Sequence, residues 1–265
     1  MWTSWWPCSV PQSEADEPAA VSDDFRTGAA LRRVALTHEL DEWQVDALLR
    51  YVDLLLGWRR ANVTGLTDPV AVVDTLIGDS LALLGVPELR GREGAAWLDL
   101  GAGAGIPGIP LAVALPEVRI TLLDAAAKKC DFLREAVREA GLGERADVVC
   151  ARSERYASSD ALGRAAHAVV LARAVSELAV VVELAAPLLE VGGVLVASKT
   201  RRALLKEAPA AEAAAGRCGL AAEPPVPLSA SPLDDAVSAV YRKVAPTPDW
   251  LPRREGMAAK RPLLA

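Results

Sequence analysis

At 265 residues, with 52% hydrophobic content and a formal net charge of −6, the chain is long enough to bury a sizeable core and suits one domain with appendages. No apolar run reaches the roughly 18 residues that a membrane span needs. The four cysteines Cys8, Cys130, Cys150 and Cys218 form no C-x-x-C pair and only two histidines are present, so no metal site is expected and the thiols suit a reducing cytoplasm. The acidic balance argues against a generic nucleic-acid coat and leaves room for a local basic surface.

Residues 1–30 begin MWTSWWPCSV and are rich in proline, serine and the acids Glu14, Asp16, Glu17, Asp23 and Asp24. They lack the basic start and long apolar core of a secretory signal and read as a disordered extension, in which Trp2, Trp5 and Trp6 are the residues able to dock. Residues 31–265 read as a single domain, with N-terminal helices over 31–90, an α/β core over 95–244 and a basic tail over 245–265. Between Thr37 and Arg60, Leu40, Val45, Leu48, Leu49, Val52, Leu55 and Leu56 recur at helical spacing; Thr37 or Asp41 can cap the start, and Gly57 lies near the end. Asn62-Val63-Thr64-Gly65 is a polar turn, after which Pro69 opens a second helix through about residue 84.

Residues 95–124 organise the rest. The apolar run 95–100, which carries Asp99, reads as a buried parallel strand. Gly101, Gly103, Gly105 and Gly108 then crowd into a loop that permits positive φ and close approach of a ligand to the backbone. A short helix through residue 115 and a strand over 118–123 follow, closing on Asp124. In a right-handed βαβ unit the acid ending the second strand lies beside the loop after the first, where Asp124 can accept both hydroxyls of a ribose. The spacing of Gly103, Gly105 and Gly108 also satisfies the G-x-G-x-x-G of dinucleotide binders, which keeps a nicotinamide-dependent oxidoreductase open. Asp99, two residues before the first glycine, is placed to face a cationic group. The frame D-x-G-x-G-x-G resembles the first motif of S-adenosylmethionine-dependent methyltransferases, whose sulfonium cofactor is cationic.

Downstream, 126–140 is a helix with Lys128, Lys129, Arg134 and Arg138 on its polar side, and 146–150 is a third strand. Ser153 and Glu154 follow it directly, where they can meet an adenine edge or cap a helix. A fourth strand, 168–172, ends at Arg173; a buried strand-end arginine with no acid nearby in sequence is expected to pair with ligand or loop. A helix over 177–189, a turn at Gly192-Gly193 and a fifth strand over 194–197 lead to Lys199, Arg201 and Arg202. A helix over 203–215 is followed by a late strand ending near residue 228 and a last strand over 236–244, paired as an antiparallel hairpin. The tail carries Arg253, Arg254, Lys260 and Arg261 among four prolines and reads as extended and basic.

Taken together these residues resemble a family, the bacterial small-subunit ribosomal RNA guanine-N7 methyltransferases called glucose-inhibited division protein B. The resemblance runs from about Leu36 to Leu264. It rests on Asn62-Val63-Thr64, Asp79-Ser80-Leu81, the loop from Asp99 through Ile106-Pro107-Gly108, Lys128-Lys129 with Phe132-Leu133-Arg134, Ala172-Arg173-Ala174, Lys243 with Pro246-Thr247-Pro248, and Leu251-Pro252-Arg253-Arg254 with Lys260 and Pro262. It implies a Rossmann-like class I methyltransferase fold, with a mostly parallel seven-stranded sheet, an antiparallel last strand and extra N-terminal helices. It also implies S-adenosylmethionine as cofactor, held by Gly101, Ile106, Ser153, Glu154 and Arg173, with Asp99 and Asp124 added by the wider superfamily. The implied partner is small-subunit (16S) ribosomal RNA or the small subunit itself, met in the cytoplasm by a monomer, and Lys199, Arg201, Arg202, Arg253, Arg254 and Lys260 are the candidate RNA contacts. Two departures stand out: Leu76-Ile77-Gly78 precedes Asp79 where the family usually has a histidine, and Thr200 replaces a common glycine. No catalytic acid or base is identified, and a cofactor-free RNA-binding protein on the same fold is the remaining alternative.

Overall fold

The computed structural model describes residues 23–158 and 163–263. Residues 1–22, the larger part of the expected extension with its three tryptophans, lie outside the described residues. From Asp23 onward the chain is already helical, so the first helix α1 (Asp23–His38) occupies the end of the stretch expected to be disordered. Its buried residues Thr27, Ala30, Leu31, Val34 and Ala35 recur at helical spacing. Helix α2 (Glu42–Gly57) starts with a capping box, in which Asp41 accepts from the Gln44 amide at 2.8 Å and Gln44 Oε1 accepts from the Asp41 amide at 2.8 Å.

The second expected helix is a composite. Asp68 caps α3 (Pro69–Val72), which widens into a π-helical turn over Val73–Gly78, returns as α4 (Asp79–Leu81) and tightens into a 3-10 turn over Ala82–Gly85. Gly78 lets Pro232 approach: a Cβ there would lie 3.1 Å from Pro232 Cγ.

Strands β1 (Ala96–Leu100), β2 (Arg119–Asp124), β3 (Ala146–Cys150), β4 (His167–Arg173) and β5 (Leu189–Thr200) are parallel and ordered β3-β2-β1-β4-β5. Next to β5 lies the antiparallel β8 (Ala236–Lys243), in register from Val194↔Arg242 to Thr200↔Ala236. Among the described residues the count is eight where seven were expected. The outer position is shared by two short strands, β6 (Leu220–Ala222) and β7 (Val226–Pro227), both paired to β8. Pro224 and Pro225 separate them because neither has an N–H for the ladder.

Between strands come α5 (Gly108–Ala114), α6 (Ala127–Glu139), α7 (Ser153–Ala157), α8 (Leu178–Ala185) and α9 (Arg201–Cys218), with α10 (Met257–Lys260) in the tail. The sheet is buried on both faces, which is why its strands read as continuous apolar runs. Trp97, Val169, Leu171 and Val196 pack with α1, α2, α5 and α6, whereas Leu98, Val170, Leu195 and Ala197 pack with α8 and α9. No helix among the described residues is long and apolar enough to cross a membrane.

Helix α5 sits so close to β1 that a Cβ on Gly108 would lie 2.7 Å from both Asp99 Oδ2 and Leu122 Cδ2. Gly108→Ala is therefore expected to destabilise the protein by about 1–3 kcal/mol through overpacking. Thermal unfolding measures this, and an unchanged midpoint would show that α5 is free to back away from the sheet.

Candidate functional site

Strand β2 lies on one side of β1 and β4 on the other, so the crevice beyond their carboxyl ends is the switch point where open α/β sheets bind ligands. Beyond β1 the chain enters the glycine loop. Gly101, Gly103 and Gly105 all have positive φ, at 69°, 58° and 84°. Gly101 needs its small size as well, because a Cβ there would stand 3.0 Å from Val175 Cγ2.

Five bonds from outside hold this loop. The Gly101 and Ala102 amides donate to the Leu123 carbonyl at 2.8 and 3.0 Å, and the Gly103 amide donates to Asp124 Oδ2 at 2.9 Å. The Gly108 amide donates to Asp99 Oδ2 at 2.9 Å, and the Tyr51 hydroxyl donates to the Ala104 carbonyl at 2.6 Å. Asp124 also accepts from the Ala126 amide at 2.8 Å through Oδ1. Each of its carboxylate oxygens thus keeps a lone pair, and the group lines the crevice.

Two clefts meet at Gly101. One, of about 190 Å³, is lined by Asp124, Ser153, Glu154, Val175 and Gly256. The other, of about 300 Å³, is lined by Gly103, Ile106, Lys129, Arg173, Val63 and Thr64. Ser153 and Glu154 open α7 directly after β3, and both are largely buried. Glu154 accepts from the Gly256 amide at 2.8 Å through Oε1, while Ser153 Oγ donates to Oε2 at 3.3 Å.

Asp99 lies away from both clefts. It is fully buried beneath the loop on the α5 side of β1 and lines neither cleft. Burial pushes its carboxyl up to about 7; the Gly108 N–H opposes the rise, Asp124 adds to it and Arg173 lowers it. Its Oδ1 has no partner among the described residues. Arg173 does have an acid, one that sequence proximity conceals. It pairs with Asp79 Oδ2 at 3.2 Å and donates to the Thr75 carbonyl in the π-helical turn at 3.0 Å, and Asp79 also accepts from Ser231 Oγ at 2.7 Å.

Two candidate RNA contacts are internal struts. Lys199 Nζ lies 2.7 Å from Glu207 Oε2 and donates to the Ser176 carbonyl at 2.9 Å. Arg253 grips the buried Glu183 with two bonds, at 2.6 and 2.5 Å. The tail is accordingly folded where an extended arm was expected. Leu251, Ala258 and Leu263 are buried, and Gly256, Ala258 and Ala259 wall the smaller cleft. Arg201, Arg202, Arg254 and Lys260 remain exposed.

Sequence reasoning missed Tyr51, Gly256 and the cleft-facing role of Lys129. Tyr51 had a signal, a polar-tipped aromatic on the apolar stripe of α2, whereas nothing local connects Gly256 with Glu154.

A family model described as rRNA small subunit methyltransferase G matches residues 44–221. Relatives with the name Ribosomal RNA small subunit methyltransferase G include one from Rubrobacter xylanophilus, 39% identical over 242 residues, covering 87% of this chain and 91% of its own. One from Deinococcus radiodurans is 40% identical over 232 residues, covering 85% and 86%. One from Pelotomaculum thermopropionicum is 36% identical over 247 residues, covering 92% and 100%.

Two outcomes test the electrostatics. Burial raises the Asp99 carboxyl from its ordinary 3.8 to about 7, so between these limits the folded state holds a proton the unfolded chain has released. Stability should therefore fall as pH rises from about 4 to about 7 and level off above. Asp99→Asn should remove that slope in urea titrations at stepped pH, and parallel wild-type and variant curves would count against it. Arg253→Ala, which strands the Glu183 carboxylate, should cost about 3–5 kcal/mol in chemical denaturation. Arg253→Met with Glu183→Leu should recover most of that loss.

Proposed function

The chain belongs to the rRNA small subunit methyltransferase G family, and on that premise we propose that it transfers the methyl group of S-adenosylmethionine to N7 of a guanine in small-subunit (16S) ribosomal RNA. The observation that carries the reading is the pair of clefts joined at Gly101, one holding a carboxylate with free lone pairs and the other holding two cations. Those donor sets fit the cofactor. Asp124 would accept the ribose hydroxyls, and Ser153 with Glu154 would meet the adenine edge. The backbone of Gly101 and Gly103 would carry the chain between the clefts. Lys129 and Arg173 would face the amino-acid end, Arg173 being held for that purpose by Asp79 and Thr75. Gly105 and Ile106 shape the far side of the loop.

When bound, the cofactor supplies an electrophilic methyl group on a sulfonium. Guanine N7 has a lone pair and no proton, so this chain has no proton to remove. Its residues bind, orient and exclude water. Holding nucleophile and methyl in line can supply on the order of 7–11 kcal/mol of the barrier.

The substrate's phosphates would meet Arg201, Arg202, Arg254 and Lys260, all exposed near the carboxyl edge of the sheet. Lys199 and Arg253 leave this set, since their charges are matched internally. The acting species in this reading is a cytoplasmic monomer. A nicotinamide-dependent activity, open on glycine spacing alone, is not favoured by the family.

Incubation of the protein with labelled S-adenosylmethionine and small-subunit RNA from a strain lacking the gene should place label in 7-methylguanine at one position. Label in another base, or binding of NAD without S-adenosylmethionine, would overturn the assignment. Asp124→Ala should weaken cofactor affinity in calorimetry roughly 10- to 100-fold, the scale of losing hydrogen bonds to a charged acceptor.

A further inference from the structure

A third cleft, of about 780 Å³, lies between the end of α2 and the loop over 61–67, and it shares Val63 and Thr64 with the cleft that holds Lys129 and Arg173. Those two residues form a common wall, so whatever occupies the larger cleft is the direct neighbour of whatever reacts in the smaller one. The larger cleft is mixed in character: Arg59, Asn62, Thr64 and Thr67 line it beside Leu55, Leu56, Trp58 and Leu66.

Its rim is basic. The Arg60 guanidinium lies 5.3 Å from the centroid of the Trp58 ring, and Trp58 meets Phe132 of α6 edge-on at 5.3 Å. Lys129 is three residues before Phe132 on that helix and therefore on the same side. Arg59, Arg60, Lys128 and Lys129 form no salt bridge among the described residues. Nearby, Arg134 pairs with Asp131, and Arg138 with Glu135 and Glu139. Of the four cations on α6, Lys128 and Lys129 are thus the two without a carboxylate partner among the described residues. Trp58 itself lines the cleft, and its buried Nε1 has no acceptor among the described residues.

We infer that this cleft is a second nucleotide subsite, taking the unpaired RNA nucleotide next to the methylated guanine while Arg59, Arg60 and Lys129 hold the phosphates on either side. The inference rests on the methyltransferase reading above. The cleft is open and roomy enough for a nucleoside, and a guanidinium backed by an aromatic ring is a stacking platform for an unpaired base. Its Asn62, Thr64 and Thr67 side chains offer both donors and acceptors to a base edge. RNA is favoured over an acidic peptide because the mixed lining and the planar platform suit a nucleobase, and because the shared wall puts the occupant next to the reacting base.

The test uses the full chain and small-subunit RNA carrying 4-thiouridine in place of uridine. Photocrosslinks are expected within 58–67. Thr67→Trp, which fills the cleft from an exposed position, should raise KM for RNA tenfold or more, with kcat within about twofold and cofactor affinity unchanged. Arg59→Ser with Arg60→Ser should lower the slope of log affinity against log salt by about 1.4, the value for two phosphate contacts on a single strand. Crosslinks confined to 201–202 and 254–260, with wild-type KM and salt slope in both variants, would overturn the subsite and leave the methyltransferase reading standing. Absence of methyl transfer by the wild type, with crosslinks and salt slopes as expected, would instead overturn the activity and keep the RNA site.

Discussion

The register between β1 and β2 is the constraint on which the site depends. Leu100 lies opposite Leu123, which puts the Leu123 carbonyl under the Gly101 and Ala102 amides and the Asp124 carboxylate under the Gly103 amide. A loop containing three left-handed glycines has no ladder of its own, so these borrowed acceptors define its shape. Sliding β2 by one residue would send Asp124 to the opposite face of the sheet. Everything else is fitted to that alignment: α5 presses against Asp99, α2 reaches in with Tyr51, and α6 begins where Ala126 completes the shell of Asp124.

Charge at the carboxyl edge is sorted by burial. Arg173, Lys199 and Arg253 are each matched to a carboxylate from a different element, Asp79, Glu207 and Glu183. Such pairs add little net stability over apolar packing, but breaking one leaves a buried charge, so they hold elements in place more than they strengthen them. Arg173 ties the N-terminal helices to β4, Lys199 ties β5 to α9, and Arg253 ties the tail to α8. Arg201, Arg202, Arg254 and Lys260 take no part in these pairs and stay exposed.

The strands, the glycine loop and Asp124 were legible because they depend on local signals: apolar runs of strand length, glycines at fixed offsets, and an acid at a strand end. Strand β3 is found at the expected residues, 146–150. The partners of Arg173 and Arg253 were illegible for the opposite reason, since Asp79 and Glu183 are brought to them only by tertiary folding. The burial of Asp99 was not legible, because spacing places a carboxylate near a loop without saying on which side of the sheet it points. Alternation with Trp97 sends it inward, under α5. The missed portion of α1 is different again: Ala30, Leu31 and Val34 had the helical period, and the acids and Gly28 around them masked it.

The fold of the tail links the order of synthesis to the acquisition of the cofactor site. Glycine loop, Asp124, Ser153 and Glu154 are all translated well before Gly256, yet Gly256 supplies the amide that fixes Glu154 and, with Ala258 and Ala259, one wall of the adjoining cleft. A nascent chain can thus build its sheet and loop while that wall is still missing. The cleft takes its final form only once the tail has left the exit tunnel and Arg253 has found Glu183.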